Sequence, residues 1–279
     1  MNASLHDMAA GAGLAQAQAL RDSAYNNGAA VADSAAITRG WVSRGEAVRR
    51  LGGARLGWSY GSAPRQAIDF FPGADDSLPL LVFFHGGYWQ TRAKEDFSFV
   101  AEGPLAAGFA VAMVGYTLAP DASLPGIVQE CRDALAFLRG AFGAPPLMLA
   151  GWSAGAHLAT SLMDEAGVMA TLAISGVYEL EPLRHTYLNT ALRLDEATAK
   201  ACSPLNNLPG AHRPLSVAWG GSELPALRSQ SERYVHQRLS HGQPTHAMPL
   251  AGLHHFSVLD ELAAPHGRLT QELLRLARA

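Results

Sequence analysis

The sequence predicts an α/β architecture: a mostly parallel central sheet with helices on both faces and a small helical cap. Three observations carry this. Strand-like and helix-like segments alternate through most of the 279 residues, the arrangement that favours crossover connections and parallel pairing. The segments "PLLVFFHG" and "AVAMVGY" are continuous apolar runs, as expected of strands covered on both faces. With 48% hydrophobic residues the chain can bury one sizeable core, and nothing in it demands a second large domain.

Taken in order, "ARLGWSY" and "RQAIDFF" read as an initial pair of strands, followed by the two buried runs. From Leu124 to Phe142, Ile127, Cys131, Leu135 and Leu138 recur at helical spacing. Then come "PLMLAGWSAG" as strand and turn, a helix from about Ala154, the strand "ATLAISGVY", the strand "PLSVAWGGSE" and a helix across Leu227 to Leu239. The strand "THAMPLAG" and a helix near Leu269 to Ala277 close the chain. Two pieces stand outside the alternation: residues 1–50, and residues 180–212, which read as short helices inserted between two strands. Insertions at strand ends commonly cover a site, so both are assigned to the cap of a single domain spanning 1–279.

The charge pattern excludes several functions. Charged residues make up 16% of the chain and the net charge is -3, with no basic stripe for nucleic acid and no like-charge tail. The alanine-rich N-terminus lacks the basic segment and apolar core of an export signal. No apolar run approaches the length that spans a membrane. Cys131 and Cys202 are far apart, without metal-ligand spacing. The expectation is a cytoplasmic protein acting on a small molecule, with no nucleic-acid or membrane partner, no cofactor and no metal; a homodimer is compatible with the sequence.

Chemistry is concentrated in three places. Gly151-Trp152-Ser153-Ala154-Gly155 lies between an apolar strand and a helix-compatible run, the context in which a strained turn holds a serine hydroxyl clear of a sheet. An unassisted hydroxyl is a weak nucleophile, so a base and an orienting carboxylate are required, in the chain order serine, acid, histidine. For the base, His254 and His255 follow the last strand; neighbouring side chains point different ways, so one reaches Ser153 and the other is structural, with His255 preferred. His157 reads as a packed helix residue, and His212, His236, His241, His246 and His266 as solvated. For the acid, the loop "GGSELP" after "PLSVAW" offers Glu223 and no aspartate. Asp195, Glu196 and Asp260 read as caps or surface charges.

The third place is "HGGYW" at residues 85–89. Adjacent glycines ending a buried strand leave backbone N–H groups uncovered. Attack on a carbonyl generates a negative oxygen that such donors stabilise, each typically supplying roughly 3–4 kcal/mol in the transition state. Gly87 and Tyr88, with Ala154 at the helix start, are the expected donors. His85 reads as a brace for this loop. Tyr88 and Trp89 either wall an acyl or aryl pocket or pack the loop; Trp89 is assigned to packing, and Tyr88 and Trp152 to substrate binding.

Together, "HGGYWQ", "GWSAGAHLA" and "HHF" resemble the kynurenine formamidase (arylformamidase) branch of the α/β-hydrolases, close to the hormone-sensitive-lipase-like esterases. "AYNNGAAV" at residues 24–31 is similar to that branch's N-terminal stretch, so the likeness spans about residues 24–275. The resemblance implies an α/β-hydrolase fold and metal-free hydrolysis of N-formyl-L-kynurenine to formate and kynurenine through a formyl-enzyme on Ser153. It also implies His255 as the base, because the family's histidine directly precedes phenylalanine. Glu223 departs from the aspartate usual in the family. A short-acyl carboxylesterase is the alternative within enzymes, and a non-catalytic ligand-binding protein the alternative outside them.

Overall fold

The structure, a computed structural model, describes residues 5–279, with side chains placed from residue 13. Of the N-terminal piece assigned above to the cap, residues 1–4 lie outside the described residues. The strands are β1 (Arg55–Ser59), β2 (Ala67–Phe71), β3 (Leu80–Phe84), β4 (Val111–Val114), β5 (Leu147–Trp152), β6 (Val168–Ile174), β7 (Leu215–Gly220) and β8 (Thr245–Leu250). They form one eight-stranded sheet in the order β1-β2-β4-β3-β5-β6-β7-β8. The opening pair and the β2–β4 pairing are antiparallel, and every other pairing is parallel.

Strand periodicity sorts the core into two layers. In β3, Leu80, Val82 and Phe84 face one side, where they meet Ile127, Cys131, Leu135 and Leu138 of the helix Leu124–Ala141. Leu81 and Phe83 face the other, packing with Trp41, Phe97 and the apolar stripe of the helix Arg268–Leu276. All five residues of β3 are therefore buried, which is why the run is apolar throughout rather than alternating. The helix Leu124–Ala141 starts where Ser123 Oγ accepts a hydrogen bond from Gly126 N at 3.3 Å, with proline in its first turn.

Two buried charged side chains tie elements together. The fully buried carboxylate of Asp69 on β2 accepts from Gly57 N at 2.7 Å, meets Lys94 Nζ at 3.1 Å and pairs with Arg49. This ties β2 to the helix Ser34–Arg49 and to the 3-10 segment Lys94–Ala101. Arg238, buried in the helix Pro225–Ser240, is spent on Thr245 Oγ1 and on the carbonyls of Pro209, Gly210 and Arg213, which pins the far end of the insertion.

The two pieces outside the alternation are helical. The N-terminal one contains helices Leu5–Ser23, Asn27–Ala30 and Ser34–Arg49. The insertion holds a 3-10 turn at Glu181–His185 and short helices Asn189–Leu192, Glu196–Ala201 and Pro204–Asn207. The pieces touch: Gln18 Nε2 donates to His185 O at 2.8 Å and Tyr187 N to Asp22 Oδ1 at 2.8 Å. No helix among the described residues is long and apolar enough to cross a membrane.

One close approach fixes the helix Ala154–Ser161 against the sheet. A Cβ on Gly155 would stand 1.9 Å from Phe84 O, and one on Gly151 would stand 2.1 Å from Gly155 O. Backbone cannot retreat as a flexible side chain can. Gly155→Ala should therefore destabilise the protein by at least about 1–3 kcal/mol, the usual cost of overpacking, read as a lower urea midpoint at unchanged m-value; an unaltered midpoint would contradict the contact.

Candidate active site

In parallel sheets, ligands gather at the carboxyl ends of the strands. Here the segments following β3, β5, β6, β7 and β8, which are consecutive in the sheet, bring their first residues to one end. Ser153 terminates β5 with φ 59° and ψ -119°, a conformation costing of order 1–3 kcal/mol that persists only when its surroundings enforce it. The glycines at 151 and 155 remove the Cβ atoms that would block the turn, and Ser153 N donates to Ile174 O at 2.8 Å.

The structure brings together the three side chains singled out from the sequence. Ser153 Oγ lies 3.2 Å from His255 Nε2, and His255 Nδ1 lies 3.1 Å from Glu223 Oε2. All three are buried. The other carboxylate oxygen of Glu223 accepts from Ser175 Oγ and from Gly220 N, both at 2.6 Å. Glutamate thus fills the orienting position by curling back over its own turn, where Glu223 N also donates to Gly220 O at 3.2 Å. With the carboxylate holding Nδ1–H, Nε2 is left as the acceptor for the Ser153 hydroxyl.

His254 Nδ1 accepts from Phe256 N at 3.2 Å and Ser257 N at 3.1 Å, so it caps the turn that positions its neighbour. This is the division of labour expected of the pair. Trp152 supports the same loop: its indole N–H donates to His255 O at 2.8 Å, and its ring lies 4.7 Å from the imidazole. It also lines the cavity, with little of its surface exposed.

The loop from "HGGYW" to Arg92 carries a run of left-handed backbone. Gly87, Tyr88, Trp89 and Arg92 have φ of 114°, 49°, 59° and 75°. Among the described residues none accepts a hydrogen bond from the N–H of Gly87, Tyr88 or Ala154. His85 braces the loop, donating from Nδ1 to Gly86 O at 2.8 Å while its ring stacks on Tyr116 at 4.3 Å. Trp89 is fully buried against His157, 4.9 Å between ring centres, and so packs as expected. Tyr88 hydroxyl donates to Tyr25 O at 2.8 Å and accepts from Asn27 Nδ2 at 3.2 Å.

A cavity of about 160 Å³ opens beside Ser153 and His255. Its wall includes Gly87, Tyr88 and Trp152, together with Asn27 from the N-terminal helices, Tyr187 from the insertion and Arg92 from the loop. Four larger clefts, of about 520, 490, 220 and 180 Å³, lie elsewhere among the described residues, and none is lined by both an imidazole and a hydroxyl or thiol. Sequence reasoning missed Ser175, Tyr187 and Arg92. Ser175 has φ 53° directly after β6, and only its place at a strand end could have signalled it.

The remaining expectations sort as follows. His157 is packed, donating from Nε2 to Cys202 O at 2.8 Å. His212, His236, His241 and His266 are exposed. His246, expected to be solvated, is half exposed and also pairs with Glu272 of the closing helix at 2.8 Å. Asp195 caps a helix through Thr198 N at 2.7 Å, and Asp260 pairs with Arg44 at 2.8 Å. No cluster of three or more potential metal ligands occurs among the described residues.

Two predictions follow from this geometry. Burial pushes the His85 and His157 imidazoles down to about 4, against about 6.5 in the unfolded chain. Below pH 6.5 the unfolded state takes up protons that the folded state refuses. Stability should be full above about pH 6.5 and fall toward pH 4, by up to about 3 kcal/mol per imidazole. The urea midpoint measured from pH 7 to pH 4.5 should follow that slope, with His157→Gln flattening part of it. Separately, Ser175→Ala should lower kcat roughly three- to ten-fold, the worth of one hydrogen bond to the orienting carboxylate, while Ser153 still labels with a fluorophosphonate.

The comparisons with known proteins agree with this architecture. The BD-FAE family matches residues 68–174. A kynurenine formamidase from Danio rerio is 30% identical over 233 residues, covering 78% of this chain and 80% of the relative. One from Salmo salar is 29% identical, covering 83% and 84%. A solved structure from Silicibacter sp., described only provisionally as a thioesterase, superposes with a TM-score of 0.84 at 31% identity over 92% of this chain and 98% of its own. An esterase from Pyrobaculum calidifontis shares the fold, with a TM-score of 0.67 at 18% identity over 87% and 91%. The chain belongs to the kynurenine formamidase family of α/β-hydrolases, and is an enzyme of the serine hydrolase class.

Proposed function

We propose that the protein hydrolyses a small formamide carried on an aromatic amine, N-formyl-L-kynurenine being the substrate suggested by the names of its relatives. The observation that carries this is the line from Ser153 Oγ through His255 to Glu223, at 3.2 and 3.1 Å, beside a cavity of only about 160 Å³. That volume lies below the roughly 300–1,000 Å³ of drug-sized pockets. It suits a short acyl group at the nucleophile, with the rest of the substrate toward the mouth.

In the proposed reaction, Ser153 Oγ attacks the formyl carbon as its proton passes to His255 Nε2. Glu223 holds the resulting imidazolium through Nδ1–H. The carbonyl oxygen becomes an oxyanion and accepts hydrogen bonds from the N–H groups of Gly87, Tyr88 and Ala154, which need no reorganisation to donate. The C–N bond breaks, and the arylamine leaves with the proton from His255. Water then gives a proton to His255 as it attacks the formyl ester, His255 returns that proton to Ser153 Oγ as the C–O bond breaks, and formic acid leaves and ionises to formate in solvent. Residues 1–50 and 180–212 act as the cap: Asn27 and Tyr187 reach the cavity from them. Cys131 and Cys202 are both free, in keeping with the reducing environment of the cytoplasm.

The cavity volume also accommodates a short-acyl carboxylesterase, so substrate preference separates the readings. The ratio of kcat/KM for N-formyl-L-kynurenine to that for phenyl acetate should favour the formamide; a strong preference for the ester would reverse the assignment. Ser153→Ala should lose covalent turnover in either case, leaving only the acceleration of roughly 10³–10⁴ over water that binding and oxyanion donors supply. Wild-type rates in that variant would end the scheme.

A further inference from the structure

The cavity wall contains one permanent charge that the hydrolytic scheme does not use. Among the residues lining the cavity, Arg92 alone carries a fixed charge. It is exposed, and its guanidinium makes no ion pair with a carboxylate and no hydrogen bond with any of the described residues. The neighbouring Arg65 is spent differently, donating to Tyr116 O and to Arg92 O. Glu223, the carboxylate of the site, is shut away beneath His255 with its side chain fully buried, so it does not neutralise Arg92.

The position of Arg92 is enforced. Its backbone has φ 75°, a conformation that a non-glycine residue adopts at a cost. Its stem runs beside the oxyanion loop: a Cβ on Gly87 would stand 3.0 Å from Arg92 Cγ. Arg92 thus stands in the cavity wall on the loop that also carries Gly87 and Tyr88, within a long side chain's reach of a group that extends from the scissile bond toward the mouth. Planar, always charged and equipped with paired donors, it is matched in shape to a carboxylate.

We propose that Arg92 is a specificity-determining residue that binds a carboxylate on the substrate, so that the enzyme selects aromatic acyl compounds that bear a carboxylate over those of the same shape without one. The proposal rests on the reading above that the cavity at Ser153 is the hydrolytic site. Arg92 acts on the part of the substrate remote from the reacting carbonyl. Its contribution therefore appears mainly in KM, as uniform binding does.

The test compares N-formyl-L-kynurenine with its carboxamide, which lacks the carboxylate and keeps the α-amino group, each as a substrate and each as an inhibitor of phenyl acetate hydrolysis, at a pH above about 9 where that amine is uncharged in both. Wild type should favour the acid roughly ten-fold or more, the usual worth of a charge-assisted contact. Arg92→Gln should bring the ratio close to one, and Arg92→Lys should retain part of it. Each ratio is taken within one variant, so general losses of activity cancel. Raising ionic strength should shrink the wild-type preference without any substitution. A wild-type ratio near one, or a ratio that survives both Arg92→Gln and high salt, overturns the proposal. Failure of the formamide reading looks different: neither compound is turned over while phenyl acetate is, and the inhibition constants still report the preference for charge.

Discussion

The whole site depends on one contact between backbones. The helix that follows Ser153 lies so near the end of β3 that Gly155 touches Phe84 O with no room for a methyl group. That closeness brings the loop after His85 beside the turn at Ser153, where the N–H groups of Gly87, Tyr88 and Ala154 have no acceptor among the described residues. Neither segment would need such proximity for packing alone, since Phe84 and Ala154 already share one apolar layer. The glycines spend conformational freedom and apolar contact, and in the proposed mechanism the gain is a set of amide donors fixed in advance. Electrostatic stabilisation of this kind is effective because nothing has to turn toward the charge when it forms.

A second constraint is the buried acid. A carboxylate taken from water is costly unless its lone pairs are met, and Glu223 meets Ser175 Oγ, Gly220 N and the His255 ring. These come from the ends of β6, β7 and β8, so three neighbouring strands share the work of holding one side chain. The extra methylene of glutamate relative to aspartate is absorbed in the turn, where one oxygen returns to the backbone three residues earlier. The non-catalytic alternative drew its force from the absent aspartate; an oxygen 3.1 Å from the imidazole removes that ground.

Much of this was legible in the residues because it is local. Apolar runs give strands, "GWSAG" between a strand and a helix gives the turn, and order along the chain narrows base and acid to a few candidates. Choosing His255 over His254 required more, and there the family likeness of "HHF" supplied what spacing left open. The rest was hidden because it is made by distant partners. Ser175 looks like any residue after a strand until Glu223 is placed beside it. His246 looks solvated until the closing helix delivers Glu272. Arg92 reads as an ordinary loop charge, and only the missing counter-ion sets it apart.

The N-terminal helices bear on how the enzyme comes into being. Tyr25 O fixes the hydroxyl of Tyr88, and Asn27 forms part of the same wall as His255, so the pocket joins residues more than two hundred positions apart in the chain. Contacts of such sequence separation form late, after the loops between them have closed. A chain still emerging from the ribosome carries its nucleophile long before it owns a complete pocket, and activity arrives only once the segment that holds His255 has been made and docked.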